Sequence, residues 1–254
     1  MPICRFIFRL DFKVNFDIID SPGKILRLLS DLKKGDESFF PDLLEDNQKR
    51  LITGRYISRE RKKSYNFTVE PISIHGGMEA VDGVDIEKLE DNDIFITLVK
   101  ITNKLRREYH VADLVRCGFR MIFFDNIGES VESVNLAIKK MLNNNFIQEF
   151  TSNVGNIEDI DIALDGTHED ETKFHFRCGP YYKDEAQKKQ YLSLSASAID
   201  KDQKFNFIAD LDFYEENFSL AEAVSFQKWL QPVISRANNS ISIIKSTIED
   251  MIGD

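Results

Sequence analysis

The stretch Cys4-Arg5-Phe6-Ile7-Phe8-Arg9-Leu10-Asp11-Phe12-Lys13-Val14-Asn15-Phe16 is apolar at every even position, while Arg5, Arg9, Asp11, Lys13 and Asn15 are polar at odd ones. Successive side chains leave a strand on opposite faces, so this alternation predicts a long strand with one buried and one wet face. The same grammar recurs from Val111 to Asp125 and from Phe205 to Tyr214. A parallel sheet buried on both sides would be apolar at every position. One-sided alternation therefore predicts an α+β fold, a mostly antiparallel twisted sheet with helices packed on one face.

Working outward, Ser21-Pro22 predicts a helix start, with Ile25, Leu28, Leu29 and Leu32 at helical spacing and an end near Gly35. Residues 36–48 read as an acidic loop. Strands are expected over 51–58 and 64–75, closed by Gly76-Gly77. Seven carboxylates against one Lys fill 79–93, and Ile94, Phe95, Leu98, Ile101 and Leu105 then mark a helix that ends in basic residues, as its dipole favours. Val131, Val134, Ile138, Met141 and Leu142 mark another, fading in Asn143-Asn144-Asn145. Four strands follow, near 157–164, 172–178, 191–198 and 204–214.

A long terminal helix is expected from Ser219-Leu220-Ala221-Glu222, which reads as a capping box. Leu230, Ala237, Ile244 and Met251 recur every seven residues, with Ile234, Ile241 and Ile248 between them, and Pro232 is expected to kink the helix. That seam either packs on the chain's own sheet or joins two copies as a homodimer. Three strand-then-helix units (3–33, 110–142, 204–250) hint at an internal repeat. No Ser/Gly/Pro-rich linker divides the chain, so parts 1–108 and 109–254 are expected to share a core across a soft boundary.

Composition narrows the function. Of 254 residues, 42% are hydrophobic and 30% charged, which suits a globule with a sizeable core, and the net charge of −10 opposes nucleic-acid binding over the whole surface. Cys4, Cys117 and Cys178 form neither a disulfide framework nor a metal knuckle and read as buried thiols in a reducing cytoplasm. No leader pattern and no run of about 18 apolar residues is present, so no membrane contact is expected. Nucleophile elbow, P-loop, dinucleotide fingerprint and H-E-x-x-H are all missing.

Chemistry is therefore sought on the wet sheet face. If the alternating strands share one sheet, that face carries Arg5, Arg9, Arg116, Arg120, Asp210 and Asp212, joined by His175 and Arg177. Like-facing side chains two positions apart stand about 7 Å from one another, a workable spacing for forked recognition of phosphate or carboxylate. The other reading is that Arg and Asp pair across strands. Asp210-x-Asp212 also permits a metal-dependent phosphodiesterase or nucleotide-binding enzyme, although the spacing alone assigns no metal or cofactor. The acids and histidines of 156–171 read as an acidic turn. Lys49, Arg50, Arg55, Arg59, Arg61, Lys62 and Lys63, with Tyr56 and Tyr65, make 49–63 a candidate for single-stranded nucleic acid or a hairpin neutralised by the 79–93 block.

Pro2-Ile3-Cys4 opening a Phe-rich strand, Arg116-Cys117-Gly118-Phe119-Arg120, and Asp210-Leu211-Asp212-Phe213-Tyr214 before a long helix together resemble a sporadically distributed family of uncharacterised bacterial proteins of about this length. Met121-Ile122-Phe123 stands where its members tend to have an aromatic-Ile-Asn sequence, which weakens any ligand role for that strand. The family's patchy occurrence is similar to that of mobile phage-defence or toxin–antitoxin modules. The resemblance implies an accessory, partner-binding role. The expectation is a cytoplasmic, non-enzymatic interaction protein, a homodimer or a subunit of a larger bacterial assembly.

Overall fold

The computed structural model describes residues 1–58, 60, 62–142, 144–155, 157–182, 205–221 and 224–253. In chain order the elements are β1 (Pro2–Phe12), α1 (Phe16–Asp20), α2 (Pro22–Ser30), β2 (Lys33–Lys34), β3 (Glu37–Ser38), β4 (Asp42–Asp46), β5 (Leu51–Ser58), β6 (Lys63–Glu70) and β7 (Ser73–Asp85). A short 3-10 turn (Ile86–Asp91) leads to α3 (Asp93–Glu108), β8 (Asp113–Asp125), α4 (Val131–Met141), α5 (Asn144–Asn153), β9 (Ile162–Thr167), β10 (Lys173–Pro180), β11 (Phe207–Ser219) and α6 (Phe226–Gly253). Nine strands form one sheet in the order β4-β5-β6-β7-β1-β8-β11-β10-β9. Every pairing in it is antiparallel. The fold is α+β, with a long C-terminal helix.

The alternation of the first strand sets the two faces. Phe6, Phe8 and Leu10 are fully buried, and β8 places Met121, Phe119 and Cys117 opposite them on the same side. Each buried Phe contributes roughly 1.5–3 kcal/mol relative to exposure. Two details depart from the expected strand. A register shift between Ile3 and Arg5 lets Ile3 enter the main core and turns Cys4 to the other face, into a small cluster with Ile122, Phe124 and Tyr181. The strand also ends at Phe12, because Asn15 caps α1 by accepting from the Ile18 amide at 3.1 Å. Val14 and Phe16 are consequently exposed.

The two halves repeat one topology. Each runs strand, helices, antiparallel strands and helix, and the last strand of each half returns beside its first: β5-β6-β7-β1 on one side, β8-β11-β10-β9 on the other. The like strands β1 and β8 meet antiparallel at the centre, with Phe8 opposite Phe119. Arg5, Phe8 and Arg9 stand at the same offsets in β1 as Arg116, Phe119 and Arg120 in β8. The repeat is thus twofold. The third strand-then-helix unit expected from the sequence, β11 to α6, is the counterpart of β7 to α3. Buried side chains from both sides of residue 108 form one cluster.

Several boundaries differ from the expected ones. The region read as an acidic loop holds the edge strand β4, whose residues pair with β5. The strand expected over 64–75 is a hairpin that turns at Pro71-Ile72, and Gly76-Gly77 lie inside β7. Those glycines serve close approach. A Cβ at Gly76 would lie 2.8 Å from the Phe8 ring, and one at Gly77 would lie 2.6 Å from the Phe6 carbonyl oxygen. The helix α5 was not anticipated. The expected strand at 191–198 lies outside the described residues.

Ser219 opens no helix. It is the last residue of β11, its hydroxyl bonds Asp113 at 3.1 Å, and Glu222 lies outside the described residues. α6 begins seven residues later. There Asn103 of α3 accepts from the Phe226 amide at 2.7 Å and Ser225 accepts from the Lys228 amide at 3.3 Å. The fully buried Arg106 braces the same junction by donating to the Leu220 and Val224 carbonyls. Of the heptad seam, Leu230, Ile234, Ala237, Ile241 and Ile248 are buried in the chain's own core, with Ile244 and Met251 packed beside them. No helix among the described residues is long and apolar enough to cross a membrane.

Gly77→Ala is expected to lower stability by about 1–3 kcal/mol, because the clashing atom is backbone and cannot swing away. Gly23→Ala, in the first turn of α2 with nothing within 4 Å of the added carbon, should hold or slightly raise it. Urea unfolding midpoints of the two variants check the contrast.

Candidate functional site

Among the described residues α1 to α4 and α6 pack into the main core on the Phe face; on the opposite face the charged side chains of β8, β11, β10 and β9 are partly exposed, beside a small buried cluster of Cys4, Ile122, Phe124 and Tyr181. Strand order decides what that face displays. β8 presents Arg116 and Arg120, its neighbour β11 presents Asp210, Asp212, Tyr214 and Glu216, and β10 presents Lys173, His175 and Arg177. β9 adds Asp165 opposite His175. Charge therefore runs in stripes along the strands, positive, negative, positive, negative, with neighbouring strands about 4.8 Å apart.

The stripes are laced together. Arg120 forks onto Asp210, Nε donating to Oδ1 at 2.8 Å and Nη2 to Oδ2 at 2.5 Å. Arg116 Nη2 donates to Asp212 Oδ2 at 2.7 Å, and its guanidinium lies 4.6 Å from the centre of the Tyr214 ring. Lys173 donates to Glu216 at 2.5 Å, His175 Nδ1 meets Asp165 at 2.8 Å, and Arg177 bonds Asp161 just before β9. A concavity of about 500 Å³ sets Arg116, Arg120, His175 and Arg177 among Asp165, Asp210, Asp212 and Glu216, with Tyr214 in its lining.

Burial gives these pairs weight. Asp210 is only 7% exposed and Arg120 holds it by two bonds. Burial raises the carboxyl of Asp212 above its ordinary value, against the pull of Arg116 and Arg120. Burial likewise lowers the guanidinium of Arg5, opposed by Glu79 and Asp210 and reinforced by Arg120. Stripping an arginine from such a carboxylate leaves a poorly solvated charge, at a cost of several kcal/mol. The cross-strand pairing read from the sequence is what the face holds.

The eight residues expected on this face lie on it, yet they do not all converge. Arg116, Arg120, His175, Arg177, Asp210 and Asp212 share the concavity; Arg5 and Arg9 stand to its side on β1. Arg9 donates to Asp11 at 2.6 Å. The arginines within each central strand are four positions apart, hence about 13 Å, so forked recognition by one strand alone is excluded by length. Across strands the arginines are diagonal neighbours, Arg5 with Arg120 and Arg9 with Arg116, each pair two residues off register. Tyr214 and Lys173 were not expected on this face, although each lies two positions from an expected residue, the period that marks a shared face, and Glu216 follows Tyr214 at the same period.

The other candidates resolve separately. Arg55 stands 3.7 Å from Asp42 on the same open face, Lys62 is in the turn before β6, and Lys63 pairs with Ser58 and Ala80. Arg59 and Arg61 lie outside the described residues. Tyr65 is buried, its hydroxyl donates to the Phe39 carbonyl at 2.8 Å, and Tyr56 stacks on it at 4.7 Å, so this aromatic pair is turned toward itself and not toward a base. His168 and Asp170 occupy the β9–β10 turn, where His168 stacks on Phe213 and Asp170 accepts from Arg236 of α6 at 2.5 Å. Among the described residues no three His, Cys, Asp or Glu gather to hold a metal. Cys4, Cys117 and Cys178 are free and buried, and burial pushes the thiols of Cys4 and Cys178 up to about 12, so neither is a thiolate at neutral pH.

Arg236 holds the Asp170 carboxyl down at about 2. A lowered carboxylate contributes stability that is complete above the ordinary value near 3.8 and is lost as pH falls toward 2. Asp170→Asn is expected to lower Tm at pH 6 and to flatten its fall between about pH 4 and 2, measured by circular dichroism melts. No family model, curated protein or solved structure matches the chain.

Proposed function

We propose that this chain is a non-enzymatic binding protein whose open, charge-striped sheet face is its contact surface for a protein partner or a second copy of itself. One observation carries the reading: among the described residues α1 to α4 and α6 pack into the core on one side of the nine-stranded sheet, and on the other side β8, β11, β10 and β9 present a laced ladder of opposite charges. A phosphate entering alone would have to take Arg120 from the buried Asp210, and a cation would have to take Asp210 and Asp212 from their arginines. Both exchanges cost desolvation without replacing the lost partner. A protein surface bearing both signs exchanges pairs for pairs.

The resemblance to sporadically distributed bacterial proteins supports an accessory role in a defence or toxin–antitoxin-type system in the cytoplasm. The buried heptad seam directs any homo-oligomer away from the α6 core side and toward the open face.

The test uses rim charges, so that the fold survives. Lys173→Glu combined with Arg177→Glu reverses one stripe at half-exposed positions, and Lys228→Glu on the exposed side of α6 serves as control. Native mass spectrometry of protein purified from its own host is expected to show a retained partner or second copy for wild type and control, lost in the double variant. A bare monomer for wild type, or retention unchanged by the double variant, overturns the proposal.

A further inference from the structure

The stripe geometry says more about the partner, and this step rests on the reading of the open face as a contact surface. Signs alternate from strand to strand, across Arg116 and Arg120, Asp210 and Asp212, Lys173 and Arg177, and Asp165, while β8, β11 and β10 each keep one sign on this face. An element lying parallel to the strands meets one sign only. An element lying across them meets alternating signs every 4.8 Å or so.

Two kinds of regular element can cross. An extended strand repeats like-facing side chains about every 6.8 Å, and so falls out of step with the stripes by the third one. A helix repeats side chains on one face at alternating spacings of three and four residues, about 5.2 Å on average along its axis, and accumulates little more than 1 Å of mismatch over four stripes. The concavity of about 500 Å³ between β8 and β9 gives such a helix a seat for its central side chains, with the ring of Tyr214 as an apolar contact.

We propose that the open face docks a partner helix lying across β8, β11, β10 and β9, whose facing side chains alternate acid, base, acid, base at spacings of three and four residues. The acids meet the Arg116–Arg120 and Lys173–Arg177 stripes. The bases meet the Asp210–Asp212–Glu216 stripe and Asp165. Each acid of the helix that draws a cation from the ladder is matched by a base that takes up the carboxylate left behind.

Two alanine-based helical peptides of identical composition test this with the full chain. One carries Glu and Lys alternating at four- and three-residue spacings along one face; the other carries the same residues on that face with all Glu first and all Lys last. Fluorescence anisotropy at low ionic strength is expected to give the alternating peptide at least tenfold tighter binding, with the preference abolished by Lys173→Glu/Arg177→Glu and weakened by added salt. Equal affinities, or no binding by either peptide, overturn the helix. If the double variant nonetheless loses the native partner in the mass spectrum, the contact surface stands and only the helix fails. If it keeps that partner, the surface falls too.

Discussion

The antiparallel union of β1 with β8 is the constraint from which the rest of the molecule follows. These two strands are the first of their respective halves, and their Phe8–Phe119 pairing sits where the two halves meet. Because side chains on paired strands share a face at each register position, this one alignment puts Phe6, Phe8 and Leu10 beside Met121, Phe119 and Cys117, and the arginines of both strands on the opposite side. Each half then returns its last strand beside its first. The halves cannot separate without exposing a row of aromatic rings and breaking a full ladder of backbone bonds at the centre of the sheet.

With most of the rings on one side, α1 to α4 and α6 cover that side. α3 and α6 are amphipathic and spend their apolar faces on the common core, with Arg106 buried between them and tied to two backbone carbonyls. The charged groups of the open face then have no covering element among those helices and settle against each other. Neighbouring strands of opposite sign are favourable at cross-strand distances, and partial burial, greatest at Asp210, makes the pairing worth more than at a fully wet surface.

Much of this was legible residue by residue. The alternation within Cys4–Phe16 and within Val111–Asp125 named the buried row, Phe6 to Phe12 and Cys117 to Phe123, and the wet row opposite it, and the helix faces of Ile94–Leu105 and Leu230–Ile248 were visible as periods. The misread boundaries share a cause. Val14 and Phe16 continue the apolar pattern but are overruled by the Asn15 cap; Gly76-Gly77 look like a turn but are there to admit the Phe8 and Phe67 rings and the Phe6 backbone. Ser219 and Glu222 match a capping box, yet the strand pairing of Ser219 with Asp113 wins because it extends a ladder already formed. Local signals lose where a long-range contact competes for the same residue.

The amino-acid order by itself determined the α+β class, the two-faced sheet and eight members of that wet face, because side-chain period is a property of the local backbone. Only the tertiary structure decided that β11 lies between β8 and β10, that Cys4 changes sides at a bulge, and that single-signed strands become alternating stripes. Strand order depends on which distant segments pair, and a chain whose strands are all similarly amphipathic carries no local mark of that choice. The topological twofold, hidden in short Arg-x-x-Phe-Arg echoes on β1 and β8, becomes visible when those two strands are seen side by side.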